Sequence, residues 1–349
     1  MTDTSTGWTD AVALARDAAV VLLVAAVLLT VGQAIVAGEA GPLRSGLPYV
    51  GAAAVVVAGR LRPALVRVVP TVLAVGGTLL AAWVTTTFLL GLPGAVGEPS
   101  GFYRAKLAVT SPLGDHNTAA GLLLVGLVAA ALRVPMDRRW WAAVGAVTVG
   151  LTVTLSRGAV LVLLLVAAVA LVAPQARRLG AVLAVCGLLA LGGVLGAAVV
   201  LDATPPAGSP EAAGPLGASV TGRGALVARG LELTVERPVS GVGLGGFARA
   251  AADLPPPNFH AHNLVAHAGA EGGVPLALVA AGLPIVLAVR VRRARPGLAR
   301  SLAAFGGLAL VAHAQLEILG GLLGYEVTLA LLLVSLLDPA AGSSAARRR

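Results

Sequence analysis

Charge is the scarcest feature of this sequence, since only 12% of its 349 residues are Asp, Glu, Lys or Arg. Soluble domains carry about 25% charged residues. By contrast, 57% of the positions are hydrophobic, and the mean hydropathy is +0.91. Intrinsic disorder is excluded because it requires low hydrophobicity. The composition predicts a protein that crosses a membrane many times.

Cysteine and aromatic residues are also rare. Cys186 is the single cysteine, which excludes a disulfide framework within the chain. Aromatic residues make up 3% of the sequence, and the net charge is +9. The basic residues form short clusters between apolar runs, a pattern that favours membrane topology over an electrostatic surface for nucleic acid. We therefore expect the lipid bilayer, and no nucleic acid, as a partner.

Ten apolar runs are candidates for membrane-spanning helices, because a hydrocarbon core of about 30 Å needs about 20 apolar residues per helix. The sequence predicts an all-α fold, a polytopic membrane helix bundle of about ten transmembrane helices with one long extracytoplasmic loop. The runs are 18–36, 47–64, 69–92, 118–134, 140–155, 159–173, 179–201, 264–290, 302–315 and 319–337.

The basic residues predict the orientation of these spans. With the N-terminus in the cytoplasm, 17 of the 25 Lys and Arg residues fall on the cytoplasmic side. The eight on the outer side are Arg44, Arg104, Lys106, Arg157, Arg223, Arg229, Arg237 and Arg249. This bias predicts a protein of the cytoplasmic (inner) membrane with both termini inside.

Five segments follow from that topology. Residues 1–17 form a cytoplasmic N-terminal segment without the apolar core of a signal peptide. Residues 18–201 hold the first seven helices, and 202–263 form an extracytoplasmic catalytic loop. Residues 264–338 hold the last three helices, and 339–349 form a cytoplasmic tail.

Arg157 lies between two apolar runs, in Ser156-Arg157-Gly158-Ala159. An arginine costs about 2.5–3.5 kcal/mol at the centre of a membrane helix on insertion scales, so one kept there usually has a function. We interpret Arg157 as an anion-binding residue. The alternative is an arginine that extends from a helix end to the membrane surface.

A glycine-rich segment of the outer loop follows Arg237. Gly241, Gly243 and Gly246 fit the G-x-G-x-x-G pattern of dinucleotide-binding proteins. That interpretation is rejected because no preceding strand is predicted and the segment lies outside the cytoplasm. The glycines instead favour a tight turn with backbone N–H groups available to an anion, and a flexible loop is equally compatible with them.

The block His260-Ala261-His262-Asn263 precedes the eighth run. A metal site is the weaker interpretation because histidines two apart on a helix face different ways and no further ligand is evident. A histidine here suits a general base or a phosphate contact. The alternative is a capping pair at a helix start. His267 and His313 are interpreted as packing or interhelical hydrogen-bonding residues.

A similar block, Asp115-His116-Asn117, opens the fourth run. Asp115 or Asn117 is predicted to cap that helix. Glu271 follows His262 by nine residues, about 13.5 Å along a helix. It is therefore expected to face away from His262 and to fix a neighbouring helix or the arginines.

Together these blocks resemble the O-antigen ligase/polymerase superfamily over roughly residues 110–290. The resemblance lies in Ser156-Arg157-Gly158-Ala159, in Arg223 ahead of the glycine-rich segment, and in His262-Asn263 with Glu271 after it. His116-Asn117 is similar to the Asn-containing start of a mid-chain helix in that family.

The resemblance implies a metal-independent glycosyltransferase, a lipid-linked glycan ligase without cofactor. Its donor would be a glycan on a polyprenyl (undecaprenyl) diphosphate, and its acceptor a glycan or glycoconjugate. Arg157 and Arg223 would contact the donor diphosphate, and His262 would be the essential loop histidine. Further substrate contacts are expected from Arg237, Gly243, His116, Asn117, Asn263 and Glu271.

Three other functions remain open from the sequence. A repeat-unit polysaccharide polymerase and a protein O-oligosaccharyltransferase would share these motifs. A small-anion or solute transporter belongs to another class, and it would bury charges at the midplane of discontinuous helices. The charges here gather at the outer face beside the long loop, which favours the enzyme.

Overall fold

The computed structural model describes residues 18–37, 41–62, 64–201, 217–254, 260–317 and 323–337. The predicted cytoplasmic segments 1–17 and 339–349 lie outside these ranges, as do residues 202–216 of the predicted outer loop. The described residues are almost entirely helical, which agrees with the predicted fold class.

Each predicted apolar run contains a helix. The ten helices are α1 (Ala18–Ala37), α2 (Gly41–Leu61), α3 (Ala64–Gly91), α5 (His116–Arg133), α6 (Trp140–Val153), α7 (Arg157–Val172), α8 (Arg177–Val200), α11 (Leu264–Arg293), α12 (Leu298–Ala314) and α13 (Leu323–Ser335).

The outer stretches add short elements. Between α3 and α5 lie α4 (Gly101–Ala108) and an antiparallel pair, β1 (Thr110–Ser111) and β2 (Gly114–Asp115). Between α8 and α11 lie α9 (Gly217–Glu236) and α10 (Phe247–Ala250).

Among the described residues, four helical segments are long and apolar enough to cross a membrane, and these contain α3, α5, α8 and α11. The apolar parts of the other six helices are 10–17 residues long, shorter than the roughly 20 residues of a full crossing. An integral membrane protein follows from these helices, while a crossing by each of the ten stays a prediction.

Helix α5 is the centre of the bundle. Every residue from Thr118 to Ala131 is buried, and α5 packs against α3, α6 and α12. The contact with α3 is close because Gly77 and Gly126 face each other. A Cβ atom added to either glycine would lie 2.7 Å from the Cα atom of the other. Small residues of this kind let membrane helices approach closely.

Helix α11 is interrupted at Gly273, whose φ of 68° and ψ of −169° are not helical. The backbone of the glycine-rich segment fills the break, since the Val274 N–H donates to the Pro238 carbonyl over 2.8 Å. A Cβ atom on Gly273 would lie 2.5 Å from that carbonyl oxygen. The predicted eighth span is therefore two helical parts joined at a docking point for the outer loop.

The described part of the outer loop has its own small apolar core. Leu226 and Leu233 of α9 pack with Phe247 of α10 and with Ala266 and Ala270 of α11. This core holds α9 along the first half of α11, and Arg223 of α9 reaches the segment after α12.

Candidate active site

Glu317 is the residue around which the candidate site is built. It follows α12, where its backbone N–H donates to the His313 carbonyl over 2.8 Å and fixes its position. Its side chain is 5% exposed. Arg223 of α9 reaches it, with Nη2 2.6 Å from Oε1 of Glu317 and Nη1 donating to the Leu316 carbonyl over 3.2 Å.

His262 approaches the other oxygen of the same carboxylate. Its Nδ1 lies 3.4 Å from Oε2 of Glu317, and its side chain is 16% exposed. His262 has a φ of 47°, a left-handed conformation that is unfavourable for a residue other than glycine and is found preferentially at functional sites. The structure thus holds the backbone in a strained turn that presents this imidazole to Glu317.

Asn263 explains why His262 is placed there. Its Oδ1 accepts from the N–H groups of Val265 and Ala266, so it caps α11, and its Nδ2 donates to Oε1 of Gln315 over 2.8 Å. Asn263 is the capping residue of the pair, which leaves His262 outside the helix. His260 and His262 therefore lie in a turn, with ring centroids 5.8 Å apart.

Arg157 begins α7 close to this carboxylate. The Oγ atom of Ser156 accepts from the Ala159 N–H over 3.4 Å and caps the helix. A Cβ atom on Gly158 would lie 3.9 Å from Oε1 of Glu317, so the N-terminus of α7 borders the site. The Arg157 side chain is exposed and makes no ion pair or hydrogen bond with any described residue.

The electrostatics keep Glu317 ionised. Burial by itself would raise the pKa of its carboxyl group, but the approach of His262 and the positive charge of Arg223 outweigh burial and lower the pKa to about 2. The same carboxylate acts electrostatically on His313 and His116. A permanent negative charge therefore stands among one guanidinium and several imidazoles.

Family comparison agrees with this part of the chain. Residues 141–281 match the family model described as O-Antigen ligase. This region belongs to the O-antigen ligase superfamily. The resemblance read from the motifs is confirmed. A search of curated proteins gives no match to the chain.

The O-antigen ligase region contains Arg157, Arg223 and His262. Arg223 and His262 contact Glu317, and Gly158, the residue after Arg157, lies beside it. Glu317 lies beyond the matched residues, yet it is the group that joins Arg223 to His262. The site is therefore completed by the segment that follows α12.

The glycine-rich segment lies against α11 in the O-antigen ligase region. The N–H groups of Val242 and Gly243 donate to the carbonyl groups of Ala270 and Glu271 over 2.8 and 3.1 Å. These two donors are occupied by the protein itself, contrary to the expectation that they would be available to an anion. Arg237, just before the segment, is exposed and makes no ion pair with a described residue.

Glu271 stabilises this loop. Its Oε1 accepts from the Phe247 N–H over 3.4 Å, and its Oε2 lies 3.7 Å from Nε2 of His267. No contact between described residues joins it to His262, in agreement with the expectation that it faces away from that histidine. Glu271 and Gly243 thus belong to the support of the loop in this structure.

The block at the start of α5 has a structural role that was predicted. Asp115 caps the helix by accepting from the backbone N–H and the hydroxyl of Thr118 over 2.9 and 2.8 Å. His116 is buried beside it and Asn117 is half-buried. Glu317 also acts electrostatically on His116, so this end of α5 lies within electrostatic range of the site.

Two residues were missed from the sequence. Glu317 is a lone carboxylate between two apolar runs, and a charge in apolar surroundings was the same signal that singled out Arg157. Gln33 of α1 contacts the glycine-rich segment, donating to the Ser240 carbonyl over 2.8 Å and accepting from the Leu244 N–H over 3.2 Å. A polar amide within an apolar run was its only signal.

Among the residues described, no group of three or more His, Cys, Asp or Glu side chains could hold a metal ion.

Proposed function

We propose that this protein is a membrane glycosyltransferase that transfers a glycan from a polyprenyl diphosphate to an acceptor hydroxyl. The observation that carries the proposal is the attachment of Arg223 and His262 to one buried carboxylate, Glu317. Membership of the O-antigen ligase superfamily in residues 141–281 supports it. An apolar helix bundle beside the site suits a donor with a lipid tail.

The donor diphosphate would bind between Arg157 and Arg223. Arg157 is exposed and has no described partner, so its guanidinium can form bidentate hydrogen bonds to phosphate oxygens. It also stands at the N-terminus of α7, which favours negative charge. The side chain of Arg223 is 38% exposed, so part of its fork remains available beyond Glu317.

His262 would accept the proton of the acceptor hydroxyl. With Nδ1 directed at Glu317, Nε2 is the ring nitrogen left to face a substrate. The acceptor oxygen forms a bond to the anomeric carbon as the bond from that carbon to the diphosphate oxygen breaks. The proton passes to Nε2, and the electron pair leaves on the diphosphate.

Glu317 would support both roles. Its charge stabilises the imidazolium that forms on His262, and its contact with Arg223 sets the direction of that guanidinium. Fixed arginines would neutralise the leaving diphosphate, so we propose that the reaction needs no divalent cation.

The location follows from the predicted topology. We propose ten spans with both termini in the cytoplasm, which places the site at the outer face of the inner membrane. The eight basic residues assigned to the outside include Arg157 and Arg223, so both proposed diphosphate contacts would lie on that side.

Ligase, polymerase and protein O-oligosaccharyltransferase differ in the acceptor, and the ligase is the form we propose. A transporter has one structural feature in its favour, because α11 is interrupted at Gly273 as transporter helices often are. That break is filled by Pro238 of the same chain, whereas transporters use such breaks to coordinate substrate. This difference favours the enzyme.

The test is a transfer assay with purified protein in lipid nanodiscs and a defined glycan on polyprenyl diphosphate. We expect glycan to appear on the acceptor with equimolar release of polyprenyl diphosphate, and we expect the rate to be unchanged in excess EDTA. Movement of the intact donor without bond cleavage would identify a transporter and overturn the proposal. Loss of activity in EDTA that Mg²⁺ restores would overturn the metal-independent mechanism alone.

A further inference from the structure

A groove of about 350 Å³ lies between α3 and α6. Its walls include Val75 and Leu79 of α3 and Trp140 and Ala143 of α6. The volume falls within the range of about 300–1,000 Å³ that is usual for small-molecule sites. Leu79 is 67% exposed, so the groove opens to the surface of the bundle.

This α3–α6 groove is remote from the candidate active site. Arg133 at the end of α5 stacks on Trp140, with its Cζ atom 4.6 Å from the ring centroid. His116 begins the same helix near Glu317. The 18 residues of α5 separate the two ends by about 27 Å, given a rise of 1.5 Å per residue. A ligand in the groove would therefore not be the transferred glycan.

Two opposite charges stand at the rim of the groove. Asp137 and Arg139 both line it and both are exposed. Oδ1 of Asp137 accepts from the backbone N–H of Arg139 over 2.9 Å, but neither side chain forms an ion pair with a described residue. An apolar cleft below one carboxylate and one guanidinium complements an amphiphile with a zwitterionic head.

We propose that the α3–α6 groove binds one membrane phospholipid whose head carries a phosphate and a primary ammonium. Arg139 would hold the phosphate, since a guanidinium matches its oxygens. Asp137 would accept hydrogen bonds from the ammonium, and an acyl chain would lie along Val75 and Ala143.

The surroundings agree with a headgroup site. Basic pockets between transmembrane helices bind lipid heads, and tryptophan is enriched at the level of those heads. Arg133 stacked on Trp140 adds positive charge next to the groove, and Arg138 continues the basic run. Asp137 distinguishes this site from a purely anionic-lipid site, because its carboxylate repels a second negative charge.

The experiment is native mass spectrometry of the full, delipidated protein with three lipids of identical chains. The lipids are phosphatidylethanolamine, phosphatidylglycerol and phosphatidylcholine. We expect one phosphatidylethanolamine to be retained about fivefold more than either of the others, the effect of one exposed charged contact of about 1 kcal/mol. Equal retention of the three lipids would overturn the proposal.

Variants separate the parts of the site. Asp137→Asn should remove the preference for phosphatidylethanolamine over phosphatidylglycerol, whereas Arg139→Gln should weaken both. Ala143→Trp should fill the groove and lower all three, with Ala142→Trp, on the exposed part of α6 outside the groove, as its control. An unchanged lipid preference in Asp137→Asn would overturn the proposal.

The possibility of a second copy in the groove is tested in the same samples. A dimer that Ala143→Trp abolishes, without any lipid preference in the wild type, would assign the groove to protein association and overturn lipid binding. Asp137→Asn and Arg139→Gln change exposed side chains, so they test the proposal even if Ala143→Trp fails to fold. Their control is Arg178→Gln, an exposed arginine at the start of α8.

Discussion

Oε1 of Glu317 lies 2.6 Å from Nη2 of Arg223, although the two residues are 94 positions apart in the chain. The carboxylate side chain is 5% exposed, so burying it requires a partner for its charge. Arg223 is one partner, and His262 approaches the second oxygen. Glu317 therefore holds both Arg223 and His262 in position.

Glu317→Gln tests that dependence. The amide keeps the shape and the acceptor oxygen but loses the charge that stabilises protonated His262. We expect turnover to fall about 10²-fold, within the range of about 10²–10⁴-fold that general base catalysis contributes, and KM for the donor to rise through the loss of Arg223 orientation. Initial-rate kinetics on purified variants measure both.

The control for this variant is Glu232→Gln. Glu232 also pairs with an arginine of α9, but its side chain is 62% exposed, so we expect near-normal kinetics. Normal turnover in Glu317→Gln would show that the carboxylate is structural and takes no part in positioning His262.

The pH dependence of stability follows from the same carboxyl group. Its pKa in the folded protein, about 2, lies below the usual value of 4.5. Stabilisation from the ionised form is therefore complete above pH 4.5 and is lost as pH falls through 2. We expect the stabilising effect of the ionised Glu317, measured as the difference in Tm between wild type and Glu317→Gln, to shrink as the pH falls below 4.5.

Thermal unfolding in detergent over this pH series provides the measurement. Glu232→Gln serves again as the control, since an exposed ion pair contributes little to stability. A Tm difference that grows as the pH is lowered from 5.5 to 3 would contradict the lowered pKa of Glu317.

Arg157→Lys distinguishes a bidentate contact from a simple positive charge. Lysine keeps the charge but lacks the planar fork, so we expect it to be nearly as damaging as Arg157→Ala. The expected loss in kcat/KM is about 10- to 150-fold, equivalent to about 1.5–3 kcal/mol for hydrogen bonds to a charged group. Near-normal kcat/KM in the lysine variant would reduce Arg157 to a generic charge.

Arg249 provides the matched control for this series. It is an exposed arginine of α10, in the same outer loop, and it has no place in the proposed mechanism. Arg249→Lys and Arg249→Ala should both keep the wild-type kcat/KM for the lipid-linked donor.

Cysteine labelling tests the predicted topology. The native Cys186 is buried, and Cys186→Ala gives a background free of thiols. In that background, Ala213→Cys should react with a membrane-impermeant maleimide in intact cells, whereas Ala294→Cys should react only after permeabilisation. Reaction at position 294 alone in intact cells would reverse the orientation and place the site inside.

The helices of the bundle were predictable because long apolar runs leave few alternatives in a membrane. Arg223 and His262 were selected from polar residues in apolar surroundings and from the resemblance between motifs, and the structure places both at Glu317. The roles of these two residues and of Arg157 remain predictions. The break in α11 was not, since Gly273 and Pro275 lie within a run that remains apolar. Only the docked loop shows why the helix opens there.

The centre of the site was also missing from the sequence interpretation. Glu317 follows an apolar run without any motif, and its partners come from α9 and from the turn before α11. The glycine-rich segment was misjudged for a related reason. The acceptors of its N–H groups are set by how the loop packs against Ala270 and Glu271. The spacing of the glycines in the sequence does not predict that packing.

The central claim is that His262, held by Glu317, accepts the proton of the acceptor hydroxyl. The most direct measurement is single-turnover transfer of a labelled glycan from polyprenyl diphosphate by His262→Asn and by His260→Ala. We expect His262→Asn to lose about 10²–10⁴-fold in rate while protein level and donor binding survive, and His260→Ala to be mildly affected. Wild-type rates in His262→Asn, or equal losses in both variants, would contradict the claim.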